Sequence, residues 1–152
     1  MNAIAPNYVV DALVQVITDN KVSIGVKKAV AISEDAEDKE LQPPYCAAYA
    51  NFELDSEQST GEDMPLHIPV EIKILCSSKD NKSAALSFAE SFRIANSVIN
   101  LLRGPISVTI DSVAYQVEIH VRKKPFEILK NTADQTIVQA NLYYEIDTAG
   151  AD

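Results

Sequence analysis

The chain has 152 residues, of which 47% are hydrophobic, and a formal net charge of −9. That length accommodates one domain with one core and needs neither disulfides nor metals to bury it, and a mean hydropathy of −0.04 excludes a disordered chain. No stretch approaches the roughly 20 apolar residues of a membrane helix. The start, MNAIAPNYVV, has no Lys or Arg before its apolar part and is broken by Pro6, which argues against a secretory signal. The expectation is a single domain, 1–152, in the cytoplasm of its cell, with no membrane partner.

In chain order, Pro6 suits the first turn of a helix, and Val10, Leu13, Val14 and Ile17 then mark one apolar helical face. This predicts a helix from Pro6 to Asp19. Val26–Ile32 (VKKAVAI) reads as a short strand entered through Gly25. The polar, acidic stretch 34–44 reads as a loop. After it, Cys46, Ala48, Ala50, Phe52 and Leu54 alternate with other residues as a strand does. A second acidic loop, 55–65, precedes the clearest strand, in which Ile68, Val70, Ile72 and Ile74 alternate with Pro69, Glu71, Lys73 and Leu75. Pro69 cannot donate to a ladder and should sit at an edge or bulge.

Asp80 and Asn81 are good N-cap residues, and a long helix is predicted over Lys82–Arg103. Its stripe is Ala85, Phe88, Ala89, Phe92, Ala95, Ile99 and Leu102, with Ser87 and Ser91 off it. Leu86, Ile94, Val98 and Leu101 put apolar groups on other sides, so this helix should be buried on more than one face, against a sheet and against a neighbouring subunit. Gly104-Pro105 stops it. Ile106–Ile110, the pair Asp111-Ser112 and Val113–Val121 read as a hairpin that ends at Arg122-Lys123-Lys124-Pro125. Thr136–Asp147 is the last strand, and 148–152 should fray. The predicted fold class is α+β: an antiparallel or mixed sheet of five to six strands with two helices on one face.

The charge is concentrated. Glu34, Asp35, Glu37, Asp38, Glu40, Glu53, Asp55, Glu57, Glu62 and Asp63 face a single base, Lys39, so the 34–63 segment carries the whole −9 and the remainder is neutral. This argues against nucleic acid as a partner. The main basic group is Arg122, Lys123 and Lys124 with Lys130, joined by Lys27 and Lys28 if their strands are neighbours. His67 and His120 have no Cys or His at metal-ligand spacing. Cys46 and Cys76 read as buried small hydrophobes. Glycine-rich phosphate loops and the Gly-x-Ser-x-Gly elbow are missing from the sequence, and a calcium loop starting at Asp55 would put Thr60 and Leu66 where Gly and Glu are required. The sequence therefore points to no catalytic, metal or cofactor site and to a protein that is not an enzyme.

The layout of the chain resembles the tail terminator and tail-completion (minor tail) proteins of long-tailed bacteriophages. The resemblance spans an N-terminal helix (PNYVVDALVQVI), a strand followed directly by one long helix (LHIPVEIKILCSSKDNKSAALSFAESFRIANSVINLLRG), a hairpin and a final aromatic strand (QANLYYEI). It implies a structural protein that forms a ring, usually of six subunits, on the tail tube, contacts the head-side connector, and passes from the cytoplasm of the bacterial host into the virion tail. A head-to-tail ring joins two unlike patches. The candidates are Glu34, Asp35, Glu37, Asp38, Asp55, Glu57, Glu62 and Asp63 on one side and Arg122, Lys123 and Lys124 on the other. The alternatives are a module binding a small molecule or peptide through its acidic loops, and an enzyme of unrecognised type.

Overall fold

Pro6 opens the first helix, its fixed φ and missing N–H costing nothing where no intrahelical partner exists. The computed structural model describes residues 4–32, 41–51, 67–79, 83–132 and 135–147. Its elements are α1 (Pro6–Asp19), α2 (Lys21–Ile24), β1 (Lys28–Ala31), β2 (Tyr45–Asn51), β3 (His67–Ser78), α3 (Ala84–Leu102), β4 (Gly104–Ile110), β5 (Val113–Asn131) and β6 (Thr136–Asp147). The expected acidic loops 34–44 and 55–65 and the tail 148–152 fall wholly or largely outside the described residues.

The strands form one mixed six-stranded sheet in the order β1-β2-β3-β6-β5-β4. Its spine is the antiparallel β3–β6 ladder, which runs without a slip from His67↔Asp147 to Ser78↔Thr136. β2 is antiparallel to β3, and β1 joins β2 in parallel. Pro69 is not on an edge strand as expected, since β3 is central. Its place is nonetheless near a strand end, since it is the third residue of β3. The two-residue turn between β4 and β5 is tight: Asp111 and Ser112 both have positive φ (50° and 69°), the conformation a two-residue hairpin needs.

Alternation along β3 and β6 sends Val70, Ile72, Ile74 and Cys76 and Val138, Ala140, Leu142 and Tyr144 into the core. There they join Val9, Val10, Leu13 and Ile17 of α1 and Ile94, Val98, Ile99 and Leu102 of α3. α1 packs against β1 and β2 at one end of the strand order and against β4 at the other, so the sheet is curled; α3 lies against β3, β6 and β5. Burial pushes the Tyr144 phenol well above its usual pKa, and its hydroxyl donates to the Ile4 carbonyl at 2.9 Å.

Four local expectations are corrected. The strand predicted over Val26–Ile32 is only Lys28–Ala31, because the preceding residues coil into the short α2, a third helix, which ends on Gly25 in the left-handed conformation (φ 88°). The long helix begins at Ala84, not Lys82: Ser83 is its N-cap, accepting from the Leu86 amide at 3.1 Å. β5 does not end at Pro125 but continues to Asn131. The fourth concerns the face of α3. Ser87 and Ser91 are fully buried, while Ala85, Ala89 and Phe92 of the expected stripe are exposed.

The cause lies in what α3 meets. Its N-terminal half packs on the polar end of the β3–β6 spine, where Ser78 and Thr136 face inward. Ser78 Oγ donates to the Ser87 carbonyl, its hydroxyl lies 2.7 Å from that of Ser91, and Ser91 Oγ donates to the Thr136 carbonyl at 3.0 Å. Buried hydroxyls that are bonded in this way are tolerated in a core, and unbonded ones are not. The Ser91→Ala variant should lose about 1–2 kcal/mol of stability, because it strips partners from two buried groups; urea denaturation reads this, and an unchanged midpoint would remove the network from the stability account.

Candidate functional site

The basic group predicted at the end of a strand lies instead inside one. Along β5, Val121 pairs with Leu142 and Phe126 with Ala140. Four residues, Arg122, Lys123, Lys124 and Pro125, therefore stand opposite the single Asn141, a large bulge of the kind that re-aims side chains. Pro125 has no N–H to give a ladder, and three adjacent cations resist alignment, so the strand escapes its partner here. Asn141 holds the excursion by donating its side-chain N–H to the Lys124 carbonyl at 3.0 Å. A smaller slip between Ile128 and Lys130 leaves Leu129 as an extra, exposed residue.

The bulge forms one wall of a groove of about 630 Å³ on the sheet surface, lined among others by Glu71, Lys73, Arg122, Lys124, Tyr143 and Glu145. Arg122 pairs with Glu71 at 3.1 Å, and Lys124 approaches Glu127 at 3.8 Å. The Arg122 guanidinium lies 5.7 Å from the centroid of Tyr143, whose ring stacks on His120 at 5.0 Å. Gln139, buried on this same surface, donates to Asn141 Oδ1 at 2.8 Å and accepts from Tyr49 at 3.4 Å. The groove holds four cations, Lys73, Arg122, Lys123 and Lys124, against three carboxylates, Glu71, Glu127 and Glu145. The expected basic patch is thus a nearly neutral surface, with Lys123 the member of the trio that has no carboxylate partner among the described residues.

Lys27 and Lys28 do not add to it: β1 is separated from β5 by β2, β3 and β6. The acidic candidates Glu34, Asp35, Glu37, Asp38, Asp55, Glu57, Glu62 and Asp63 lie outside the described residues. The structure therefore brings together only the Arg122–Lys124 side of the predicted interface. Sequence reasoning missed Glu71 and Tyr143 as partners of Arg122. Both were visible as outward positions of their strands, but the register that aligns Glu71 with Tyr143 and Tyr143 with His120 was not.

A second feature adjoins the bulge. Phe126, which follows Pro125, packs against Phe92 of α3 with ring centroids 4.7 Å apart, and Phe88 continues the row at 6.2 Å from Phe92. This row is open on one side: Phe92 is 41% exposed, and Ile128 is 56% exposed two residues along β5. These include residues of the stripe that sequence periodicity assigned to burial.

Cys46 and Cys76 face each other across β2 and β3, both buried, with sulfurs 4.0 Å apart and no disulfide. The hydrogen bond to Cys46 and burial hold the Cys76 thiol well above its ordinary pKa, which keeps it protonated and unreactive. Among the described residues, no three His, Cys, Asp or Glu side chains gather to hold a metal, and no helix is long and apolar enough to cross a membrane. No protein-family model and no curated protein sequence matches the chain.

The Asn141→Ala variant removes the one side-chain hydrogen bond to the bulge backbone found among the described residues. At a partly exposed site this should cost under about 1 kcal/mol, with amide exchange accelerating across residues 122–126 and not at β3. Unchanged exchange there would mean that the bulge is held by something other than Asn141.

Proposed function

We propose that the chain is a non-catalytic assembly protein whose copies join head to tail into a closed ring. The observation that carries this reading is the flank where α3 meets β5. There an open row of aromatic rings, Phe88, Phe92 and Phe126, is followed along β5 by the exposed Ile128, with Lys123 and Lys124 nearby in sequence on the bulge. An apolar centre with a charged rim is the anatomy of a protein interface, and an exposed aromatic patch of this kind is uncommon on a surface that meets only water.

The occupant in this reading is a second copy of the chain. The sequence carries its own complement: the acidic 34–63 stretch, which also holds Phe52 and Leu54. Two unlike patches on one subunit propagate around a ring and close if the rotation permits. The charges would set register and encounter more than affinity. The near-neutral groove weakens the purely electrostatic form of the idea and moves the binding energy to the rings. In the same reading α1 and α3 share one face of the sheet, and the opposite face, with its groove, is left for the next protein in the stack. The resemblance to tail terminators supplies the partners, a tail tube and a head-side connector, and the place, a virion tail.

The groove beside Tyr143 favours a second reading, a module that binds a small molecule or peptide, because its volume falls in the range of ligand sites. Its charges, however, are largely paired within the chain.

Sedimentation and negative-stain grids, with and without an added phage tail-tube protein, test the first reading. A ring is expected, and Phe92→Asp should weaken assembly by about tenfold or more, since it places a charge in the apolar centre. Lys123→Glu with Lys124→Glu should do so by a smaller, salt-dependent factor. A chain that stays monomeric at low salt even with tube protein present would sink the proposal.

A further inference from the structure

The sheet ends on β4, and this edge is unusual in its chemistry. Its sequence, GPISVTI, contains no charged residue. Natural edge strands are commonly guarded by Lys, by inward charges, by bulges or by a covering element. β4 has none of the first three: it pairs with β5 residue for residue, from Gly104↔Ile119 to Ile110↔Val113, with no slip. α1 packs against it, with Ile106 and Val108 joining the core cluster that α1 also enters. Among the described residues no backbone hydrogen bond reaches the far side of residues 105–110. Pro105, the one guard present, sits at the start and leaves Ile106–Ile110 open.

The ends of the strand are charged. Arg103 precedes it and Asp111 follows it, both exposed, and neither has an ionic partner among the described residues. A cation at one end and an anion at the other make the strand complementary to an antiparallel copy of itself and repulsive to a parallel one. Toward the hairpin tip the inner face also comes out from under α1, since Val113 and Tyr115 are exposed although they stand opposite Ile110 and Val108.

We propose that β4 docks a second copy of the chain by antiparallel edge-to-edge pairing about a two-fold axis at Val108. In that register Val108 stands opposite Val108 of the second copy, Ile106 opposite Ile110, and Ser107 opposite Thr109. Inner-face residues then meet inner-face residues, and hydroxyls meet hydroxyls. Pro105 falls outside the ladder, where its missing N–H costs nothing. Each Arg103 approaches the Asp111 of the other copy, and each exposed tip, with Val113 and Tyr115, extends toward the second copy's α1. The contact is isologous and closes at two copies. It uses none of the residues of the ring surface, so in an assembled particle it joins ring to ring, and in free protein it makes a dimer.

The test separates the two contacts. In the Phe92→Asp background, where ring formation is expected to be weakened, sedimentation velocity at rising concentration should still show a dimer. Adding Ser107→Lys and Thr109→Lys, both at exposed positions, brings like charges face to face and should weaken that dimer by about tenfold or more. Arg103→Glu should weaken it by a smaller, salt-dependent factor, and Arg103→Glu with Asp111→Lys, which swaps the charges, should restore it. Circular dichroism verifies the fold of each variant. A strict monomer in the Phe92→Asp background, or a dimer indifferent to the two lysines, overturns the proposal. If the charge swap fails to rescue while the lysines still disrupt, the edge pairs but the antiparallel register about Val108 is wrong. A dimer with no ring in the wild-type chain would remove the ring reading and leave this one standing.

Discussion

The twelve-residue ladder between β3 and β6 is the constraint from which the remaining structure follows. It pairs His67–Ser78 with Thr136–Asp147 without a bulge, so the face of every residue on both strands is decided at once. Slipping β3 by one position against β6 would send Ile72 and Ile74 outward and Glu71 and Lys73 inward, or, with β3 held in place, Leu142 and Tyr144 outward and Asn141 and Tyr143 inward. The ladder lies in the middle of the sheet, with β2 hung on one side and β5 on the other. It joins residues about seventy positions apart, which makes it a costly contact to form and a decisive one once formed.

Because that ladder is regular, irregularity is displaced to its neighbour. β5 must follow β6 with a stretch that contains Arg122, Lys123, Lys124 and Pro125, none of which suits a paired central strand. The strand accommodates them by leaving the ladder over four residues and returning at Phe126. Two consequences follow from one misfit. On the outer surface the displaced backbone builds the groove wall and carries Arg122 to Glu71 and Tyr143. On the helix side the re-entry sets Phe126 against Phe92. The groove and the aromatic row are therefore two products of the same bulge.

Much of the architecture was legible in the sequence because strict alternation, as in Val138, Ala140, Leu142, Tyr144 and Ile146, has only one reading. The bounds of α1 and β6 and the hairpin at Asp111-Ser112 follow from periodicity and turn chemistry alone. The face of α3 did not, and the reason is specific. Periodicity counts a serine as a surface residue, but Ser87 and Ser91 lie over Ser78 and the Thr136 carbonyl, where a hydroxyl is worth more than a methyl. Once they turn inward, Ala85, Ala89 and Phe92 turn outward, so the N-terminal part of the stripe read as core is open surface while Ala95, Ile99 and Leu102 stay buried. The basic trio was found as a cluster, but its partners were not, because Glu71 and Tyr143 reach Arg122 only through register across three strands.

Two open apolar features among the described residues, the α3–β5 row and the β4 edge, differ in a way that bears on assembly. The α3–β5 row is a side-chain surface: rings and aliphatic groups with a charged border, able to meet any shape that covers them. The β4 edge is a backbone surface, whose hydrogen-bonding groups demand an extended partner at one spacing and one direction. A surface of the first kind tolerates unlike partners and suits a heterologous joint; one of the second kind, bracketed by Arg103 and Asp111, is suited by its charges to an antiparallel copy of itself. They arise on different elements, and no described strand pairing joins the edge of β4 to α3. In the proposed assembly a subunit with one contact of each kind would extend around an axis through the first and pair across it through the second, so that closed symmetry would rest on side-chain packing and two-sidedness on backbone pairing.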